Sequence, residues 1–144
     1  MANESTIKRD LFFKNLALTA SEKINRAVSE LVGERVLEEF CKVRYAEVDE
    51  KELVIDVNAR CFGAYSRISQ PIEGVAVVFF PERSTSKFLD LVKKRYGQKE
   101  DFSHEMEDSA LKEISNIIIS TYVSELGNLL NTKIISSPPE VTYF

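Results

Sequence analysis

The stretch Ser109–Pro139, SALKEISNIIISTYVSELGNLLNTKIISSPP, decides how the rest of the chain is read. At about 100° per residue, Ser109, Glu113, Asn116 and Ser120 fall in one narrow sector of a helix, with Gly127 in line further on. The opposite side carries Leu111, Ile114, Ile118, Tyr122 and Leu129, so that side is expected to be core. The helix is predicted over about Met106–Asn131. Lys133–Ser136 then reads as the start of a strand, which Pro138-Pro139 interrupts.

Upstream, Glu73–Phe80 (EGVAVVFF) is apolar on both faces and predicts a central strand covered on both sides, ended by Pro81. Ser84–Tyr96 groups Phe88, Leu91 and Val92 as a helix that stops at Gly97, and Gln98–Glu105 is an acidic connector. Further back, Val43 and Tyr45 share one side of a short strand. Asp49-Glu50-Lys51 reads as a turn, and Leu53–Arg60 alternates as a half-buried strand. Residues 62–72 look irregular. Thr19-Ala20-Ser21-Glu22 has the form of a capping box opening a helix through Ile24, Ala27, Val28, Leu31 and Val32, with Gly33 as its stop. A separate helix is expected in residues 1–18, around Leu11, Phe12 and Phe13. The pattern is α+β: a mostly antiparallel sheet packed with long helices.

Composition bounds the function. The chain has 144 residues, the size of one domain over residues 1–144. Its apolar fraction of 44% and charged fraction of 29% are those of a globular protein. A balance of 19 basic against 23 acidic residues, net −4, lacks the basic footprint of a nucleic-acid binder and argues against an anionic membrane surface. The longest apolar run, Val75–Phe80, is far below the ~20 residues that span a bilayer. The N-terminus has no signal-peptide core, so a cytoplasmic location is expected. Cys41 and Cys61 form no CxxC pair, and the single histidine, His104, excludes a His-rich metal site. The glycines are scattered, with no phosphate-cradling loop. Lys93-Lys94-Arg95 reads as a solvated helix end that complements the helix dipole.

The open sector of the long helix is more informative. Asn is a weak helix former, and a purely solvated face prefers Lys, Gln or Glu. A mid-helix Asn116 among small residues leaves room for another molecule to approach closely. The full pattern is Ser109, three residues, Glu113, two residues, Asn116, twenty-two residues, Pro139. It resembles the active-site signature of the CheC/CheX/FliY family of chemotaxis phosphatases. SALKEISNIIISTYVSELGNLL followed by KIISSPPEV is similar to the signature helix and strand of CheC, and EGVAVVFFPERSTSKFLDLVKKRYG to the family's central strand and next helix.

The resemblance implies a CheC-like fold and a phosphatase that removes the aspartyl phosphate from a CheY-like response regulator. It implies that Glu113 pairs with the regulator's active-site lysine and that Asn116 holds a water in line with the phosphorus. Ser109 and Pro139 become supporting members of the motif. The chain needs no cofactor of its own, because the Mg²⁺ belongs to the regulator. The receptor deamidase CheD, a known CheC partner, is a further expected partner, although no residue argues for it.

The chain departs from the family in two ways. CheC chains commonly carry the signature twice. Here Glu22 and Asn25 keep the Glu/Asn spacing, but Leu18 and Val48 stand where Ser or Asp and Pro would be. Glu22 also has a structural reading as a capping-box residue. Second, only five residues follow Pro139, which predicts a natural short form or an incomplete second half of the sheet. An incomplete sheet leaves an edge near residues 133–144 open to homodimerisation. The rival function is a non-catalytic chemotaxis or flagellar-switch adaptor that binds a response regulator or CheD.

Overall fold

The computed structural model describes residues 3–33, 61–96 and 103–143. In chain order these form α1 (Glu4–Val32), β1 (Cys61–Gln70), β2 (Gly74–Pro81), α2 (Glu82–Tyr96), α3 (His104–Leu130), β3 (Ile135–Ser136) and β4 (Glu140–Tyr143). The fold is α+β, as the sequence predicts. The strands at Val43–Tyr45 and Leu53–Arg60, the intervening turn and Cys41 lie outside the described residues.

β1 is the middle of a four-stranded antiparallel sheet. It pairs along nearly its whole length with β2 on one side, and with β3 and β4 in succession on the other. Its inward residues Phe62, Ala64 and Ser66 are buried, and Ile68 packs against the same core. The irregular segment expected at 62–72 is therefore the central strand. Small and polar inward residues hid the alternation, since Ala64 and Ser66 carry little hydrophobic signal.

β2 corrects a second expectation. Among the described residues it is an edge strand, with Val75, Val77 and Phe79 exposed and Ala76, Val78 and Phe80 turned to the core. Its run of apolar residues marks two unlike faces, only one of them covered by the helices. On the exposed side of β1, the Tyr65 hydroxyl donates to Glu140 of β4. That bond, and then the carboxylate's charge, raise the phenol's pKa.

The core lies between this sheet and the helices. Ala20, Ile24, Val28 and Val32 of α1, Phe88, Leu89 and Val92 of α2, and Leu111, Ile114, Ile119 and Val123 of α3 meet Phe62 and Ala64 there. α1 runs unbroken for 29 residues, so the capping box at Thr19–Glu22 does not form. Ala20 and Ser21 sit buried in the middle of that helix, where burial outweighs the modest helix propensity of Thr and Ser. The separate helix expected in residues 1–18 is the first half of α1. Gly33 does end the helix, at φ +73, with its N–H donating to the Ser29 carbonyl at 2.9 Å.

Charges pin the helices to one another. Lys23 of α1 pairs with Glu125 of α3, whose side chain is only 8% exposed. Lys93 of α2 meets Glu107 of α3 at 3.1 Å, with both side chains about three-quarters buried. The basic end of α2 is thus partly a packing device, where the sequence suggested a solvated terminus.

Candidate functional site

α3 begins where Ser103 caps it, its hydroxyl accepting from the Met106 N–H at 3.3 Å, with Glu105 and Glu107 in the first turn. It ends at Asn131, which adopts the left-handed conformation at φ 53 and ψ 45. Between these ends the helix divides into two sides. Leu111, Ile114, Ser115, Ile119 and Val123 are buried. Ile118 and Tyr122 pack partly against the core, but Leu129, expected there, is 45% exposed near the C-terminal end of the helix.

Small polar residues on this helix satisfy themselves. The fully buried Ser115 hydroxyl donates to the Leu111 carbonyl at 2.7 Å, and Thr121 to the Ile117 carbonyl at 2.6 Å. On the open side the Ser120 hydroxyl donates to the Asn116 carbonyl at 2.6 Å. That bond turns Ser120 back onto its own helix, beside the exposed Asn116.

Ser109, Glu113, Asn116 and Ser120 are all exposed. Asn116 lies three positions after Glu113, so the carboxylate and the carboxamide stand about 4.5 Å apart along the axis, on neighbouring rows of one face. Neither side chain has an ion-pair or hydrogen-bond partner among the described residues. Such a face presents one negative charge and one neutral donor–acceptor to an arriving surface. Pro139 is not on this face: it is buried in the link between β3 and β4. There Ser137 exchanges bonds with Arg67 of β1, accepting from its N–H through Oγ and donating through its own N–H, each at 2.9 Å.

Gly127, read as a continuation of the stripe, is buried. A Cβ there would lie 2.7 Å from the Thr132 carbonyl oxygen, so the chain leaving α3 passes directly over it. Gly127→Val is expected to cost about 1–3 kcal/mol through this overlap, measurable by urea denaturation. Glu22 is exposed on α1, and Asn25 is half-buried one turn further on. The capping explanation for Glu22 falls with the continuous helix.

Residues 106–143 match the model of the CheC-like family. The matched residues are α3, β3 and β4. Across the whole fold, this chain is similar to the crystal structure of FliY from Thermotoga maritima, with a TM-score of 0.75 and 18% identity over 95% of this chain and 69% of that one. It is also similar to a protein from Desulfovibrio vulgaris Hildenborough provisionally described as a chemotaxis protein. That likeness has a TM-score of 0.60 and 16% identity, over 90% of this chain and 76% of the other. At these identities the likenesses speak to the fold. Among the described residues, no three His, Cys, Asp or Glu side chains group to hold a metal, and no helix is long and apolar enough to cross a membrane.

Proposed function

We propose that this chain hydrolyses the aspartyl phosphate of a CheY-like response regulator, with Glu113 as anchor and Asn116 as the positioner of water. The observation that carries this reading is the exposure of Glu113 and Asn116 together on one face of α3, inside the segment that matches the CheC-like family.

Phosphoryl transfer asks little covalent work of the catalyst, so placing the nucleophile matters most. In this reading the regulator brings the phosphorylated aspartate and its Mg²⁺. The Asn116 carboxamide accepts from one water proton, or donates to the water oxygen, and holds that oxygen in line with the phosphorus. The water oxygen bonds to phosphorus, the bond from phosphorus to the aspartyl oxygen breaks to leave a carboxylate, and both water protons leave on inorganic phosphate. Holding a water this way recovers part of the entropic barrier. A neutral amide does so without adding negative charge beside the phosphoryl group, which a carboxylate at position 116 would repel.

Glu113 acts before the chemistry. Its carboxylate, free of partners within the described chain, is available to a lysine of the regulator. Glu113→Ala is therefore expected to weaken association with the phosphorylated regulator about tenfold or more, read in a binding titration, while turnover at saturation falls much less. Equal affinity in the variant would remove the anchor from the mechanism. Association with no accelerated phosphate release by the wild-type chain would instead favour the adaptor reading.

A further inference from the structure

The open face of α3 does not end at Ser120. It leads into a hollow of about 560 Å³ at the C-terminal end of the helix, floored by Val123 and Gly127 and rimmed by Ser124, Asn128, Thr132 and Lys133. The hollow exists because the chain doubles back after Asn131. The Thr132 carbonyl oxygen and the Ile134 N–H both lie within 4 Å of the point where a Gly127 Cβ would stand. Lys133, between them in sequence, is thereby returned to the level of Gly127 instead of extending past the helix end.

That return places Lys133 within reach of anything docked on Asn116. Gly127 lies 11 residues beyond Asn116, about 16 Å along the axis. A standard interface buries roughly 800 Å² per partner, which is a disc about 16 Å in radius. A globular domain centred on Glu113 and Asn116 therefore covers Ser124 and meets the hollow at its rim. The charges suit such a contact. Lys133 is exposed and has no ion pair among the described residues. A regulator that holds Mg²⁺ beside its phosphorylated aspartate brings carboxylates to that pocket, since Mg²⁺ is bound through carboxylates and phosphate oxygens.

Resting on the proposed function, we infer that this hollow is the second contact of the docked regulator, with Lys133 receiving a carboxylate on that domain's surface. The contact fixes the rotation of the regulator about the Glu113–Asn116 pair. Lys133 is a positioning residue: it holds the partner and never meets the reacting atoms.

The test measures phosphate release over a range of concentrations of a CheY-like regulator charged with acetyl phosphate. Lys133→Glu should raise KM about tenfold and leave kcat within twofold, and Lys133→Arg should restore KM. Ser124→Tyr, which fills the near rim without changing charge, should raise KM in the same way. Asn116→Ala should show the opposite split, with kcat lost and KM kept. Circular dichroism melts check that the exposed substitutions leave the fold intact. If the wild-type chain neither binds nor dephosphorylates the regulator, the proposed function fails and this inference with it. If the wild type is active but Lys133→Glu and Ser124→Tyr both keep its KM, the hollow's role alone is overturned.

Discussion

Asn116→Ala is expected to reduce the accelerated dephosphorylation of a CheY-like regulator by about 100-fold or more, to near the regulator's own rate of hydrolysis. The side chain is exposed, and its removal leaves no cavity and no buried group unpaired. Stability should therefore stay within about 0.5 kcal/mol of wild type, or rise slightly, since Ala is the better helix former. Those two outcomes together separate a water-positioning role from a structural one. A stopped-flow record of regulator dephosphorylation gives the first, and a thermal melt the second. Asn116→Asp is the sharper companion, because it keeps size and shape and adds only the charge that should repel the phosphoryl group. Undiminished turnover in either variant would remove Asn116 from the chemistry. The equivalent change at Asn25 should leave turnover within about twofold, since its spacing to Glu22 lacks the flanking Ser or Asp and Pro of the full motif.

The open face of α3 was legible in the sequence because helical geometry alone sorts residues by angle. Ser109, Glu113, Asn116 and Ser120 needed no tertiary information to be placed together. The stop at Gly33 was legible for a similar reason, since a local backbone conformation is encoded locally. What failed were inferences that depended on neighbours distant in sequence. Thr19–Glu22 satisfies a capping pattern, but Ala20 and Ser21 are buried within a continuous helix, and that burial decides the matter. The Cys61–Gln70 strand was invisible because Ala64 and Ser66 pack inward as small residues, so its period-two signal is faint. Glu73–Phe80 reads as central and is an edge among the described residues, because hydrophobicity reports burial potential and not which side a neighbour occupies. Gly127 sat at the right angle for the stripe and was still wrong for it. The return of the chain at Thr132, 5 residues on, covers it. The candidate site itself combines a legible part, the angle and spacing of Glu113 and Asn116, with a part that was not, the hollow beyond Ser120.

The largest stability effect is expected at Phe62, far from the open face. Its side chain is only 2% exposed, and its ring lies 6.0 Å from that of Phe80. It stands on the central strand, opposite Phe80 of β2 and Tyr143 of β4, and it belongs to the cluster shared with all three helices. Phe62→Ala removes an aromatic side chain from a position where both sheet and helices must move to refill the space. Its cost should be about 3–5 kcal/mol, a large part of the 5–15 kcal/mol that holds a typical domain together. At this chain length that corresponds to roughly 10–20 °C in melting temperature. Phe62→Leu keeps most of the volume and should cost less than about 1.5 kcal/mol. Activity should follow the folded fraction and nothing else: at a temperature where Phe62→Ala remains folded, its turnover per folded molecule should match wild type. A loss below about 1 kcal/mol would mean that the sheet and the helices are held by contacts other than this ring. A turnover defect in the fully folded variant would mean that the core beneath α3 sets the position of Asn116, making the open face sensitive to packing on its far side.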